Sequence, residues 1–180
     1  MRDSHRVAVV TDSIASIPPD LVEACGLEVV PLVLVWDGEM YLDGVDISPA
    51  EFYSLFRERD SRPTTSVPTP AAFAQAYARA AEHADGIVGV FASRRLTSVV
   101  SVATLAAEVA PVPVRIVDTR CAAMAEGFCV LEAARLAQRG GTLDEVAAAA
   151  EECRGRSGLV AAFQTLEHLI RLGRGARVAR

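Results

Sequence analysis

Two hydrophobic periods alternate along the chain. Residues 7–10 are a continuous apolar, valine-rich run that ends in Thr11-Asp12-Ser13, the pattern of a buried strand leaving into a loop. Pro18 and Pro19 open a helix that runs through Cys25 and is stopped by Gly26. Residues 27–36 read as a single second strand, followed by turn chemistry at Asp37-Gly38 and an extended segment over 40–47 that holds Asp43-Gly44. Ser48 and Glu51 form a capping box for a helix over 49–59. Residues 62–70 are a long polar, proline-rich loop, and Thr69-Pro70 starts a helix to about His83. A buried strand is predicted over 86–92, a helix over 96–109 and a fourth strand over 112–118. Two Ala-rich helices follow, over 122–139 and 143–153, divided by Gly140-Gly141. Residues 158–163 read as a last strand, and Thr165 begins a final helix that runs into Gly173 and Gly175.

Strands separated by helix-length stretches need crossover connections, so the expected fold class is α/β: a mostly parallel sheet flanked by helices. Such sheets bind ligands at the carboxyl ends of their strands. That rule singles out three loops: Thr11-Asp12-Ser13, Ser93-Arg94-Arg95 and Asp118-Thr119-Arg120. No glycine-rich dinucleotide fingerprint or P-loop follows any strand, which removes the main support for a nucleotide site. There is no internal repeat and no low-complexity linker.

Composition narrows the picture. The 180 residues are 51% hydrophobic and 23% charged, enough for a packed core and one domain, or one and a fraction. A net charge of −5 argues against a broad grip on nucleic acid or on an anionic membrane. All 18 basic residues are arginine. The longest apolar runs are strand-length, and the N-terminus lacks the apolar core of a signal peptide, so a soluble, cytoplasmic chain is expected. Cys25, Cys121, Cys129 and Cys153 form no CxxC pair and read as buried free thiols. With only His5, His83 and His168 as histidines, no metal site, no cofactor and no Ser-His-Asp set is expected.

Two segments could carry chemistry. Thr64, Thr65 and Ser66 supply hydroxyls in a loop that feeds a helix N-terminus, where backbone N–H groups favour an anion. Together they could hold a carboxylate without a strong base; alternatively, Thr69 merely caps the helix while the other hydroxyls face water. Ser93 to Ser98 repeats the strand-to-helix geometry, with Arg94 and Arg95 either solvated or adding attraction for an anion. Asp12 and Asp118 could act as bases or metal ligands, although an Asp after a strand more often fixes a turn.

The ordered motifs resemble the DegV family. Val9-Val10-Thr11-Asp12-Ser13, Val30-Pro31-Leu32, Tyr41-Leu42-Asp43-Gly44 and Thr65-Ser66-Val67-Pro68-Thr69 follow its signatures in order. Ser93 to Ser98, Val117-Asp118-Thr119 and Thr165-Leu166-Glu167-His168-Leu169 continue them, so the resemblance covers essentially the whole chain. It implies a bacterial fatty acid-binding protein, not an enzyme, that buries a long acyl chain between two α/β domains. Such a protein presents the carboxylate to a fatty acid kinase catalytic subunit, for an acyl phosphate used in phospholipid synthesis. By that resemblance Thr65 and Ser93 match the carboxylate-binding hydroxyls, with Ser66 as a helper. A long-chain fatty acid and the kinase subunit are the implied partners, nucleic acid is not one, and peripheral membrane contact is left open.

The chain also departs from the family pattern. Arg94 stands where a second Ser is usual, and Ser98 where Gly is usual, which would hinder close backbone approach. The expected division is a domain over 1–157, carrying the carboxylate-binding loops, and the truncated start of a second over 158–180. The C-terminal domain that would supply the far wall of the acyl pocket is expected to be missing, so the chain would be a fragment, a truncated form or a natural short form. A second reading is a degenerate DegV-like interaction module without lipid binding; a third, a hydrolase using Asp12 or Asp118, has no paired nucleophile to support it. Finally, residues 153–180 hold six arginines against Glu167 alone, and Arg174 and Arg177 are expected to dock the kinase partner.

Overall fold

The computed structural model describes residues 6–162. Its centre is a four-stranded parallel sheet of β1 (Val7–Asp12), β2 (Glu28–Val30), β6 (Gly86–Phe91) and β7 (Val114–Asp118), in the order β2-β1-β6-β7. Strand alternation decides which side chain meets which helix layer. Val9, Val88, Val90 and Val117 face one layer, where Cys129 and Val130 of α5 (Met124–Gln138) and Val146 of α6 (Leu143–Arg156) complete a core. Val10, Ile87 and Phe91 face the other, against Phe73 and Tyr77 of α3 (Pro70–Ala81) and Val99 of α4 (Val99–Ala107). Every residue of β6 is buried, as expected for a strand covered on both faces.

The segment 27–36, expected to be one strand, is two strands in two sheets. Pro31 has no N–H for a ladder, and the Leu32 N–H turns away to donate to Ser13 Oγ at 3.0 Å. The chain then enters an antiparallel sheet that the sequence reading missed: β3 (Val33–Trp36), β4 (Glu39–Leu42) and β5 (Thr64–Ser66), in the order β4-β3-β5. Asp37 and Gly38 both have positive φ (51° and 84°), the two-residue hairpin turn their identities predicted. Trp36, fully buried, anchors this sheet to Phe52 and Phe56 of α2 (Pro49–Glu58) and donates from Nε1 to Ser61 Oγ. The stretch 62–70 is therefore not loop throughout, since Thr64, Thr65 and Ser66 pair with Val35, Leu34 and Val33.

The capping box at Ser48 and Glu51 is formed, and Gly26 closes α1 (Pro19–Cys25) in the left-handed conformation. The helix expected from residue 96 begins instead at Val99, because Leu96 and Thr97 donate back to the Ser93 carbonyl in a turn. Residues 158–162, the described part of the expected last strand, are exposed and have no strand partner. The expected final helix, with Arg174 and Arg177, lies outside the described residues. All four cysteines are free thiols; Cys25 is half-buried and the other three are buried.

Candidate functional site

The carboxyl ends of β1, β6 and β7 converge, and their loops are stitched together by backbone groups. Ser93 N–H donates to the Cys121 carbonyl at 2.8 Å, while the Thr119 hydroxyl donates to the Phe91 carbonyl at 2.9 Å. Asp118 fixes the turn expected of it, accepting from the N–H groups of Arg120 (2.9 Å) and Arg94 (3.4 Å). The Arg94 side chain completes the contact with Nε 3.3 Å from Asp118 Oδ2. Arg94 therefore braces the loop through Asp118, and Ser98 sits at φ −90°, where no glycine is needed.

Ser93 is 2% exposed at the end of β6. Its Oγ accepts from the Arg95 N–H at 3.2 Å, which leaves the hydroxyl proton to donate. Thr65 and Ser66 are exposed on β5, an edge of the antiparallel sheet. Val67, directly after β5, packs against the same core as Phe91 and Val99. Thr69 has the modest role weighed for it, capping α3 by accepting from the Ala72 N–H.

A cavity of about 560 Å³ opens on the other side of β1. Its walls include Ile17, Pro18, Val22, Leu27 and Val29, and its polar fringe is Thr11, Asp12, Ser13, Ser16, Glu23 and Asp43. None of Thr65, Ser66 and Ser93 lines it. An apolar wall with acidic fringes suits a hydrocarbon and repels a carboxylate.

Asp12 joins the two regions. Fully buried, it accepts from the N–H groups of Ile14 (2.8 Å) and Ala92 (3.2 Å) while lining the cavity. Burial outweighs those bonds and raises its pKa to about 6. Beside it lies Glu126, also fully buried, with neither carboxyl oxygen in a hydrogen bond of normal geometry. Burial first, and the neighbouring Asp12 charge second, push Glu126 up to about 10. The sequence reading missed Glu126 because an acid in a helix's first turn is usually a solvated partner of the dipole. The available signal was its position as the one acid in the apolar run from Cys121 to Leu131.

The local chain explains that burial. Ala123, just before α5, has φ 52° and ψ −152°, a region that favours glycine, and its carbonyl accepts from the N–H groups of Glu126 and Gly127. Gly127 lets α5 approach the 3-10 turn Ser13–Ala15 so closely that an added Cβ would lie 2.8 Å from the Ala15 carbonyl oxygen. Among the described residues no three His, Cys, Asp or Glu side chains gather into a metal site. Among them, too, no helix is long and apolar enough to cross a membrane.

The class defined by this fold is an α/β domain with a parallel sheet between two helix layers and a buried hydroxyl, Ser93, at a strand end. The family model described as the uncharacterised DegV family matches residues 6–179. A DegV domain-containing protein of Streptomyces coelicolor is 43% identical over 173 residues, 95% of this chain and 61% of that protein. One from Deinococcus radiodurans is 36% identical, covering 93% and 60%. Among solved structures, a Thermus thermophilus DegV family protein described as fatty acid-binding matches with a TM-score of 0.81 at 38% identity, over 94% of this chain and 60% of that one. DegV of Bacillus subtilis, described as a fatty acid binding protein, matches at TM-score 0.87 and 26% identity, over 96% and 62%. The chain belongs to the DegV family. It spans about 60% of the length of these relatives.

Proposed function

We propose that the chain binds a long-chain fatty acid and acts as a carrier rather than an enzyme. Its carboxylate is held by the hydroxyls of Thr65 and Ser93, assisted by Ser66. The observation that carries this reading is Ser93: a buried hydroxyl at a strand's carboxyl end, already accepting one hydrogen bond and so left with a proton to donate. The fatty acid-binding descriptions of the Thermus and Bacillus relatives support it. The acidic fringe of the cavity keeps the head group on the hydroxyl side, and the apolar wall suits a hydrocarbon tail.

The bound carboxylate is presented to a fatty acid kinase subunit in the cytoplasm, with Arg174 and Arg177 as docking residues. A second domain, beginning near residue 158, supplies the far wall of the acyl site. The departures at Arg94 and Ser98 do not strain the Ser93 loop: Arg94 is engaged with Asp118, and Ser98 has an ordinary φ of −90°. Titration of the full protein with a fluorescent fatty acid tests the assignment. A hydrogen bond to a charged group is worth about 1.5–3 kcal/mol, so Thr65→Ala and Ser93→Ala should each weaken binding roughly tenfold or more. Unchanged affinity in both variants would remove the site.

A further inference from the structure

Two carboxyl groups meet in the interior with no cation to balance them. Asp12 and Glu126 are each fully buried. The titratable groups that face the pair are themselves acidic: Asp43 after β4, and Asp118 and Cys121 from the segment between β7 and α5. Arg94 and Arg154 bind Asp118, through its carboxylate and its carbonyl respectively, and among the described residues no cation pairs with Asp12 or Glu126. Two adjoining buried carboxylates cannot both ionise, so one keeps a proton. Geometry settles which. Asp12 accepts two backbone N–H bonds, the environment of an anion, whereas Glu126 accepts none and is free to donate.

We propose that Glu126 holds its proton against Asp12 and thereby positions the turn at Ala92 and Ser93 for an anionic head group; the head-group part rests on the fatty acid reading. The chain of contacts is short. On this proposal the protonated Glu126 carboxyl, which as placed makes no hydrogen bond of normal geometry, turns its O–H to the adjoining Asp12 carboxylate; Asp12 holds the Ala92 N–H, and the next residue is Ser93. The proton also keeps the pair at one negative charge rather than two, so less repulsion meets a carboxylate arriving at Ser93. Glu126 is thus a positioning residue that acts through Asp12.

Proton NMR of the chain tests the pair without any ligand. The Ile14 and Ala92 amide protons should shift together with a midpoint near pH 6, as Asp12 titrates. One glutamate carboxyl carbon should stay in its protonated range through neutral pH, and Glu126→Gln should abolish that signal and lower the amide midpoint. A Glu126 carboxyl that titrates near 4.5, or the same amide midpoint in parent and Glu126→Gln, would overturn the proposal. Fatty acid titration of the full protein separates positioning from space-filling. Glu126→Met fills the volume without a donor and should weaken binding about tenfold, while Glu126→Gln, which can still donate, should recover most of the loss. Equal affinity of the Met and Gln variants would refute the donor role. If the parent binds no fatty acid while its amides titrate as expected, the fatty acid reading fails and the acid pair stands.

Discussion

Replacing Glu126 by Gln should stabilise the fold at neutral and alkaline pH and remove a slope from its pH dependence. In the folded protein the Glu126 pKa is raised from 4.5 to about 10, mainly by burial. The folded state therefore holds a proton that the unfolded chain releases above its ordinary value. Stability from this group is complete below about pH 4.5, erodes as pH rises and is lost through about 10. While the two states differ by one proton, the loss is about 1.4 kcal/mol per pH unit. Asp12, raised from 3.8 to about 6, adds a second slope of the same sign that ends near pH 6. Hydrogen bonds hold Glu39, Glu51 and Glu145 below their ordinary values, so they act at lower pH. Cys129, pushed up from 9.0 to about 12, acts at higher pH. Among the described groups with shifted values, only Glu126 spans the window from about pH 6.5 to 8.5. Keeping it protonated at pH 7.5 costs up to about 4 kcal/mol, so the neutral amide should gain at least about 1 kcal/mol after its imperfect hydrogen bonding is counted. Urea unfolding followed by circular dichroism at pH 6.5, 7.5 and 8.5 reads both slope and offset. Parallel slopes in parent and variant would show that Glu126 is ionised in the folded state and that the argument is wrong.

Two further substitutions probe how Glu126 comes to be buried. Gly127→Ala would place a Cβ 2.8 Å from the Ala15 carbonyl oxygen and 3.1 Å from Ile17 Cγ1, so α5 must retreat. A stability loss of about 1–3 kcal/mol by urea unfolding is expected, and an unchanged midpoint would contradict the close approach. Ala123→Gly should raise the melting temperature by several degrees, because it relieves roughly 1 kcal/mol of strain at φ 52°. A lower melting temperature would mean that the unfolded-state entropy of the added glycine outweighs the strain.

The parallel sheet was legible because its strands are covered on both faces and read as unbroken apolar runs, as at residues 86–91. The antiparallel sheet was not. The run from 27 to 36 changes sheet without changing its hydrophobicity, and only Pro31 marked the break. β5 was hidden for the opposite reason, since Thr64, Thr65 and Ser66 are exposed hydroxyl residues on an edge strand with no alternation to detect. The position of Ser93 at a buried strand's end was legible from the strand-to-helix pattern, and the turn-fixing role of Asp118 from the habit of an Asp after a strand. Glu126 could not follow from either pattern. Its importance comes from Asp12, over a hundred positions away in sequence and brought beside it by tertiary folding alone.

Asp12 is where the two halves of the candidate site touch, and its chemistry explains why they stay separate. Its carboxylate borders the apolar cavity on one side and holds the N–H next to Ser93 on the other. A fatty acid head group entering the cavity would meet Asp12 and Asp43 with no basic partner, whereas at Ser93 it meets a hydroxyl ready to donate. On the proposed function, such opposite preferences would fix the polarity of an amphipathic ligand, with the head at the hydroxyls and the tail away from water. On the same reading, a proton held by Glu126 would limit how far the acidic side repels the head group across that boundary. A proposed anion site built from hydroxyls rather than arginines would tolerate two adjoining buried acids only if one of them were neutral, the state that burial and the neighbouring Asp12 favour for Glu126.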